Sequence, residues 1–223
     1  MSYIISELLT EDQVSEMRSA LDSSDRWIDG RVSVDNPTVD IKQNLELHQE
    51  TVGYKQASSI LYSALDKCQD FMDYTIGQES GPILFSRTPQ GGYYKTHFDL
   101  PYLGDFSNTI FLSDPDEYSG GELVLMNDNR PKKLKLKAGS MVTYPCGTPH
   151  KVNEVTGGTR EVAVFWTHSK FKNSRQREIY SDLRKSLRYL PHTIPDSVEE
   201  SQKNPTFLVK QAMFNLERYK ADL

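Results

Sequence analysis

KLKLKAGSMVTYPCGTPHKVNEVTGGTREVAVFWT, residues 133–167, is written in short runs broken by turn residues. KLKLK alternates charged and apolar positions with the period of a strand, and SMVTYP and REVAVFWT are β-branched and aromatic runs of strand length. Ala138-Gly139, the segment Pro145 to Pro149 and Thr156-Gly157-Gly158 sit where hairpins or strand crossings are needed. Upstream the text continues in the same manner, through ILFSRT, GYYKTHFD, TIFLS and GELVLM, with Ser119-Gly120-Gly121 and Asn127-Asp128-Asn129 as further turns. So many short runs between about 83 and 168 predict a barrel or jelly roll.

Both flanks read as helix. Thr10-Glu11-Asp12-Gln13 has the form of a capping box, and Val14, Met17, Ala20 and Leu21 follow at helical spacing, which predicts a helix over 11–22. Residues 54–75 carry a second stripe (Ile60, Leu61, Ala64, Leu65, Cys68, Phe71, Met72) and read as one longer helix. Between them Asp29-Gly30-Arg31-Val32 is a turn leading into an extended piece towards Lys42 and Asn44. Helical signals return after 172, with Ile179, Leu183 and Leu187 on one face and an apolar group from Phe207 to Leu216 beyond the Pro191 to Pro195 break. The expected architecture is mainly β with flanking α: a double-stranded β-helix (jelly roll) core, N-terminal helices covering one sheet, and a C-terminal helical appendage. The division is residues 1–170 for the jelly-roll domain with its N-terminal helices and 171–223 for the appendage.

Composition narrows the function classes. The 223 residues carry a net charge of -5, which offers no general attraction for nucleic acid or an anionic membrane. Cys68 and Cys146 are too few for a disulfide framework and lack CxxC spacing, so a cytoplasmic setting is expected. The N-terminus has no basic region followed by a long apolar run, and no apolar stretch reaches about 18 residues.

The chemistry concentrates in YYKTHFDLPYLG, residues 93–104. In a strand His97 and Asp99 point the same way with Phe98 opposite, which builds half of a metal site. Alone, the pair reads equally as a surface His and Asp beside a turn. His150, just after the Pro145 to Pro149 turn, is the candidate third ligand, although taken singly it is a loop histidine. Two histidines and one carboxylate leave coordination positions open, as non-haem Fe(II) oxygenases require. Arg160 lies in the following strand and shares its face with Val162, Val164 and Trp166, which would line the barrel interior with a guanidinium. A buried arginine needs a partner, and a dicarboxylate would meet it in a bidentate, charge-assisted way. The other reading is an exposed Arg160 paired with Glu161 or Glu154.

His97-Phe98-Asp99, Ser119 to Leu123, Ala138-Gly139-Ser140, Pro149-His150 and Arg160 together resemble the Fe(II)/2-oxoglutarate-dependent dioxygenases of the prolyl 4-hydroxylase type, most closely the bacterial PKHD-type hydroxylases. Trp27 to Val32, Lys42, Asn44, Phe111 to Pro115 and the helical Arg175 to Leu187 extend the resemblance over roughly residues 1–190. It implies Fe(II) ligands at His97, Asp99 and His150, Arg160 on the distal carboxylate of 2-oxoglutarate, and Tyr94 as the family's tyrosine near the cosubstrate. Strand parity turns Tyr94 away from His97, so that role requires a bulge; Tyr93 is the substitute. The implied activity is hydroxylation of an unactivated C–H with release of succinate and carbon dioxide. Dioxygen is consumed, ascorbate serves as reductant, and the substrate is a prolyl residue of a peptide or protein, or an amino acid or other small molecule. A carboxylate at 99 favours hydroxylation over halogenation. LPYLGDFSN, joining Asp99 to TIFLS, is shorter than in a PKHD-type member, and the residues after Pro191 depart from its usual ending.

Two other classes compete. A non-catalytic cupin-like module binding a metal or small ligand has no need to bury Arg160, and a zinc hydrolase with the same three ligands lacks a placed general base. Lys132, Lys133, Lys135 and Lys137 read as a solvated edge strand, and Arg175, Arg177, Arg184, Lys185 and Arg188, interspersed with Glu178 and Asp182, as an exposed helix face. Neither implies nucleic acid.

Overall fold

The computed structural model of the chain describes residues 3–33, 40–127 and 130–219. In order, the elements are β1 (Ile4–Glu7), α1 (Glu11–Asp22), β2 (Trp27–Asp29), a 3-10 turn (Gly30–Ser33), β3 (Lys42–Gln43), β4 (Leu45–Leu47), α2 (Val52–Leu65), α3 (Gln69–Thr75) and β5 (Gly77–Ser80). The β-rich region supplies β6 (Leu84–Pro89), β7 (Tyr93–His97), β8 (Phe106–Phe111), β9 (Tyr118–Gly120), β10 (Leu123–Asn127), β11 (Arg130–Leu134), β12 (Ser140–Pro145), β13 (His150–Val152) and β14 (Val155–Ser169). The tail holds α4 (Ser174–Ser186), a 3-10 turn (Leu187–Tyr189), α5 (Val198–Ser201) and α6 (Pro205–Tyr219).

Two antiparallel sheets face each other. The larger runs β1-β12-β8-β14-β6-β4-β2, and the smaller β11-β10-β13-β7-β3. Alternation along β14 explains its unbroken apolar text. Ala163 and Phe165 turn outward onto Met17, Leu21, Leu61, Leu65 and Phe71 of the helices. Val162 turns inward onto Phe111, Leu125, Val142 and Tyr144 between the sheets. A strand buried on both faces loses the polar alternation of a half-exposed one. The N-terminal helices therefore cover the large sheet from outside, as expected.

α1 forms where its signals place it. Thr10 Oγ1 accepts from the Gln13 N–H at 3.2 Å, and Gln13 Oε1 accepts from the Thr10 N–H at 2.9 Å. α2 packs closely on α1 at Gly53, where a Cβ would stand 2.1 Å from the Ala20 carbonyl oxygen. The single helix expected over 54–75 is two. The Lys67 and Cys68 N–H groups reach back only three residues, to the Ala64 and Leu65 carbonyls, which tightens and ends α2. Cys68 takes an extended conformation before α3 begins, and no glycine or proline marks the break.

KLKLK is only partly strand. β11 begins at Arg130 and ends at Leu134, at the edge of the small sheet with Lys132 and Lys133 in solvent. Beyond it Lys135 donates to the Tyr118 carbonyl at 2.6 Å and stands over that ring, and Lys137 pairs with Glu11. Of the expected Asn127-Asp128-Asn129 turn, positions 128 and 129 lie outside the described residues. The tail docks through polar contacts, Arg184 and Arg188 on the buried Asp73 and Lys170 on Glu217 at 2.6 Å, while Tyr180 donates to Glu217 and ties α4 to α6 within it. The arginine-rich face of α4 is therefore not uniformly exposed. Arg177, half-buried, donates to the Phe171 carbonyl at 3.0 Å and lies over the Phe106 ring.

Leu61 is fully buried where α2 meets the sheet. Leu61→Ala should lower the unfolding free energy by about 2–5 kcal/mol through lost burial and a residual cavity. Urea titration should show this as a lower midpoint at an unchanged slope.

Candidate metal centre

His97 ends β7 and His150 opens β13, and antiparallel pairing sets the two residues opposite each other. The imidazole centroids are 4.2 Å apart. Asp99, two residues past β7, completes the group: its Oδ1 lies 3.8 Å from His97 Nε2 and its Oδ2 3.8 Å from His150 Nε2. One ligand atom from each of the three falls within 4.8 Å of the others, the spread of donors around a single small ion.

The surroundings aim these donors. His97 Nδ1 lies 2.8 Å from the Lys95 carbonyl oxygen and His150 Nδ1 2.9 Å from that of Thr148. Donation from both Nδ1–H groups fixes the tautomer that leaves each Nε2 lone pair directed inward. Ser107 donates to Asp99 Oδ2. Burial, followed by the neighbouring His150, pulls the His97 pKa down to about 4, so the ring is neutral at physiological pH. Neutral imidazole and ionised carboxylate are the forms that bind a divalent cation. Nearby, burial pushes the Cys146 thiol up to about 12, which leaves it protonated and unsuited to ligation.

The group opens into a cavity of about 360 Å³ between the sheets. On β14 Arg160, Val162, Val164 and Trp166 all line it, as parity predicts. Arg160 is 3% exposed, and burial depresses its pKa. Its Nε has no hydrogen-bond partner, and among the described residues no carboxylate pairs with it. Glu161 is committed on the other face of the sheet to Arg87 and Arg18, which rules out the exposed Arg160–Glu161 pair.

The bulge required for Tyr94 exists. Between the pairs His97–His150 and Tyr94–Val152 the register shifts, so three steps on β7 match two on β13. The Tyr94 ring consequently stacks on His97, with centroids 3.6 Å apart and planes at 17°. Tyr93 also borders the cavity, but its hydroxyl is tied to Asp40. Sequence reasoning missed Ser107, Tyr144 and Glu46. Tyr144 is buried edge-on to His150 at 5.2 Å, and parity with Val142 on β12 was the available signal.

Residues 83–168 match the model of the 2OG-Fe(II) oxygenase superfamily. A PKHD-type hydroxylase of Xanthomonas campestris pv. campestris (strain B100) is 34% identical over 203 residues, which is 86% of this chain and 89% of the relative. The chain belongs to the PKHD-type hydroxylases. A PKHD-type hydroxylase of Pseudomonas putida is 32% identical over 90% of this chain and 92% of its own length. Two solved structures share the fold. A prolyl hydroxylase from Trichoplax adhaerens, in complex with a hypoxia inducible factor oxygen degradation domain peptide fragment, aligns with a TM-score of 0.60 at 17% identity over 79% of this chain and 86% of its own. A Pseudomonas putida prolyl-4-hydroxylase aligns with a TM-score of 0.52 at 18% identity over 75% and 92%. This PKHD-type hydroxylase is thus an Fe(II)- and 2-oxoglutarate-dependent oxidoreductase that hydroxylates its substrate, and the non-catalytic cupin-like reading falls away. No helix among the described residues is long and apolar enough to cross a membrane.

The depressed His97 pKa carries a pH dependence. The folded value is near 4 and the ordinary one 6.5, so between them the unfolded chain binds more protons. Stability must then rise with pH across that window and be lost on acidification. Urea unfolding of metal-free protein should give a falling free energy from pH 6.5 to 4, and His97→Gln should flatten the fall.

Proposed function

We propose that His97, Asp99 and His150 hold the Fe(II), that Arg160 grips the distal carboxylate of 2-oxoglutarate, and that Tyr94 flanks the cosubstrate. The observation that carries this reading is the shared cavity: three convergent donors on the side of the small sheet, and on the facing large sheet a buried guanidinium with an unpartnered Nε. The donor set is two imidazoles and one carboxylate, the facial arrangement that leaves positions open on iron. When bound, Fe(II) and 2-oxoglutarate supply the oxidising power, coupling decarboxylation of the 2-oxo acid by dioxygen to hydroxylation of a substrate C–H. The chain's own residues do the rest. Ser107 orients Asp99, the Lys95 and Thr148 carbonyls keep both imidazoles turned inward, and Leu100, Leu103, Val164 and Trp166 form apolar walls that limit water. Arg160 sets the cosubstrate's direction by pairing with one carboxylate end.

Prolyl substrates enter through the names of the structural relatives, so a prolyl residue or an amino acid is the substrate class proposed here, with ascorbate as reductant and the cytoplasm as the compartment. Residues 1–170 act as the catalytic unit and 171–223 as an appendage on it.

With Fe(II) and 2-oxoglutarate the purified protein should form succinate slowly even without substrate. Asp99→Ala should bring this to background; turnover equal to the parent would overturn the ligand assignment. Arg160→Met should weaken 2-oxoglutarate binding on the order of 100-fold by calorimetry, the loss expected for a paired charge-assisted contact.

A further inference from the structure

Apart from Arg160 the cavity wall carries a second charged group that the reading above leaves unused. Lys42, on the edge strand β3 of the small sheet, and Glu46, on β4 of the large one, form an ion pair with both side chains 6% exposed. Lys42 Nζ also donates to Ser33 Oγ at 2.8 Å, and Ser33 Oγ lies 3.0 Å from Glu46 Oε1. Among the described residues every donor to Glu46 meets Oε1 and none meets Oε2. Lys42, Glu46 and Ser33 all line the cavity that holds His97, Asp99 and His150.

The pair is separate from Arg160 yet close to the metal ligands. Glu46 is paired with Ser86 on β6, and Ser86 with Val162 on β14, so Glu46 stands two strands from the strand that bears Arg160. At about 4.8 Å per strand this is roughly 10 Å, far enough for a dicarboxylate on Arg160 to leave the pair free. Lys42 Nζ sits 5.0 Å from the centroid of the Tyr94 ring, which itself stacks on His97.

We infer that Lys42 and Glu46 receive the ammonium–carboxylate head of a free α-amino acid, which makes such an amino acid, rather than a residue inside a peptide chain, the substrate of this site. The inference rests on the oxygenase reading above and deepens it. An ion pair is a poor staple for the sheet edge, because apolar residues of the same volume would close it without dehydrating two charges. A zwitterion offers the pair its own mirror image. The substrate carboxylate meets Lys42, the ammonium meets Glu46, and every charge acquires an opposite neighbour. A chain-internal residue has neither charge to offer. The cavity of about 360 Å³ lies near the small end of the ~300–1,000 Å³ usual for ligand pockets, which suits a small substrate beside the cosubstrate.

The test uses the protein with Fe(II), 2-oxoglutarate and oxygen, offered the twenty standard free amino acids and, separately, the matching N-acetyl amino acid amides. Mass spectrometry reads the gain of one oxygen that depends on 2-oxoglutarate. The expected result is hydroxylation of a free amino acid with a capped counterpart at least ~10-fold poorer in kcat/KM, the factor for losing one charge-assisted contact. The double variant Lys42→Met/Glu46→Gln, which leaves no lone buried charge, should erase that preference, mainly through KM. Capped amides accepted as well as free amino acids, or a preference that survives in the folded double variant, would overturn the inference. No hydroxylation of any free amino acid would also overturn it, and succinate formed in the same tubes would show that the oxygenase reading stands.

Discussion

Facing His97 and His150 across β7 and β13 is the constraint on which the site depends. Both strands are short, and β13 has three residues, so the register that sets imidazole against imidazole has little ladder to define it. Its support comes from the neighbours. β10 pairs β13 on the other side through Leu125–His150 and Leu123–Val152, and Leu123 and Leu125 are buried between the sheets. Within that ladder a slip of one residue would turn the inward set of one strand to the solvent face, so the hydrophobic core itself enforces the facing of the two imidazoles.

The bulge on β7 is the second element of that geometry. It adds one residue between His97 and Tyr94, which reverses the parity of everything upstream and brings a tyrosine face onto the His97 imidazole. The same irregularity leaves Lys42 paired with Tyr94, so the short strand β3 and its charged neighbour reach the cavity only because β7 is not straight. One local insertion therefore organises both the histidine side and the charged side of the pocket.

Most of the β core and the convergence of the candidate site residues were legible in the sequence because they obey local rules. The inward face of β14 follows from counting by twos from Arg160, and α1 from Thr10, Gln13 and four apolar residues at helical spacing. What escaped depends on information that no window contains. β1, β2 and β4 are three or four residues long and gain strand character only by pairing with β12, β4 and β6. The break between α2 and α3 comes from three-residue closures without a breaker in the text. Ser107, Tyr144 and Glu46 acquire meaning from the strands beside them, and composition says nothing of which strands those are.

An arginine held in the interior with no anion beside it burdens the folded state, and whatever neutralises it shifts the folding equilibrium by mass action. If Arg160 holds a dicarboxylate as proposed, the folded population would open less often with that anion bound than without it. Under the proposed role of Arg160, cosubstrate binding and resistance to unfolding would then draw on one and the same side chain.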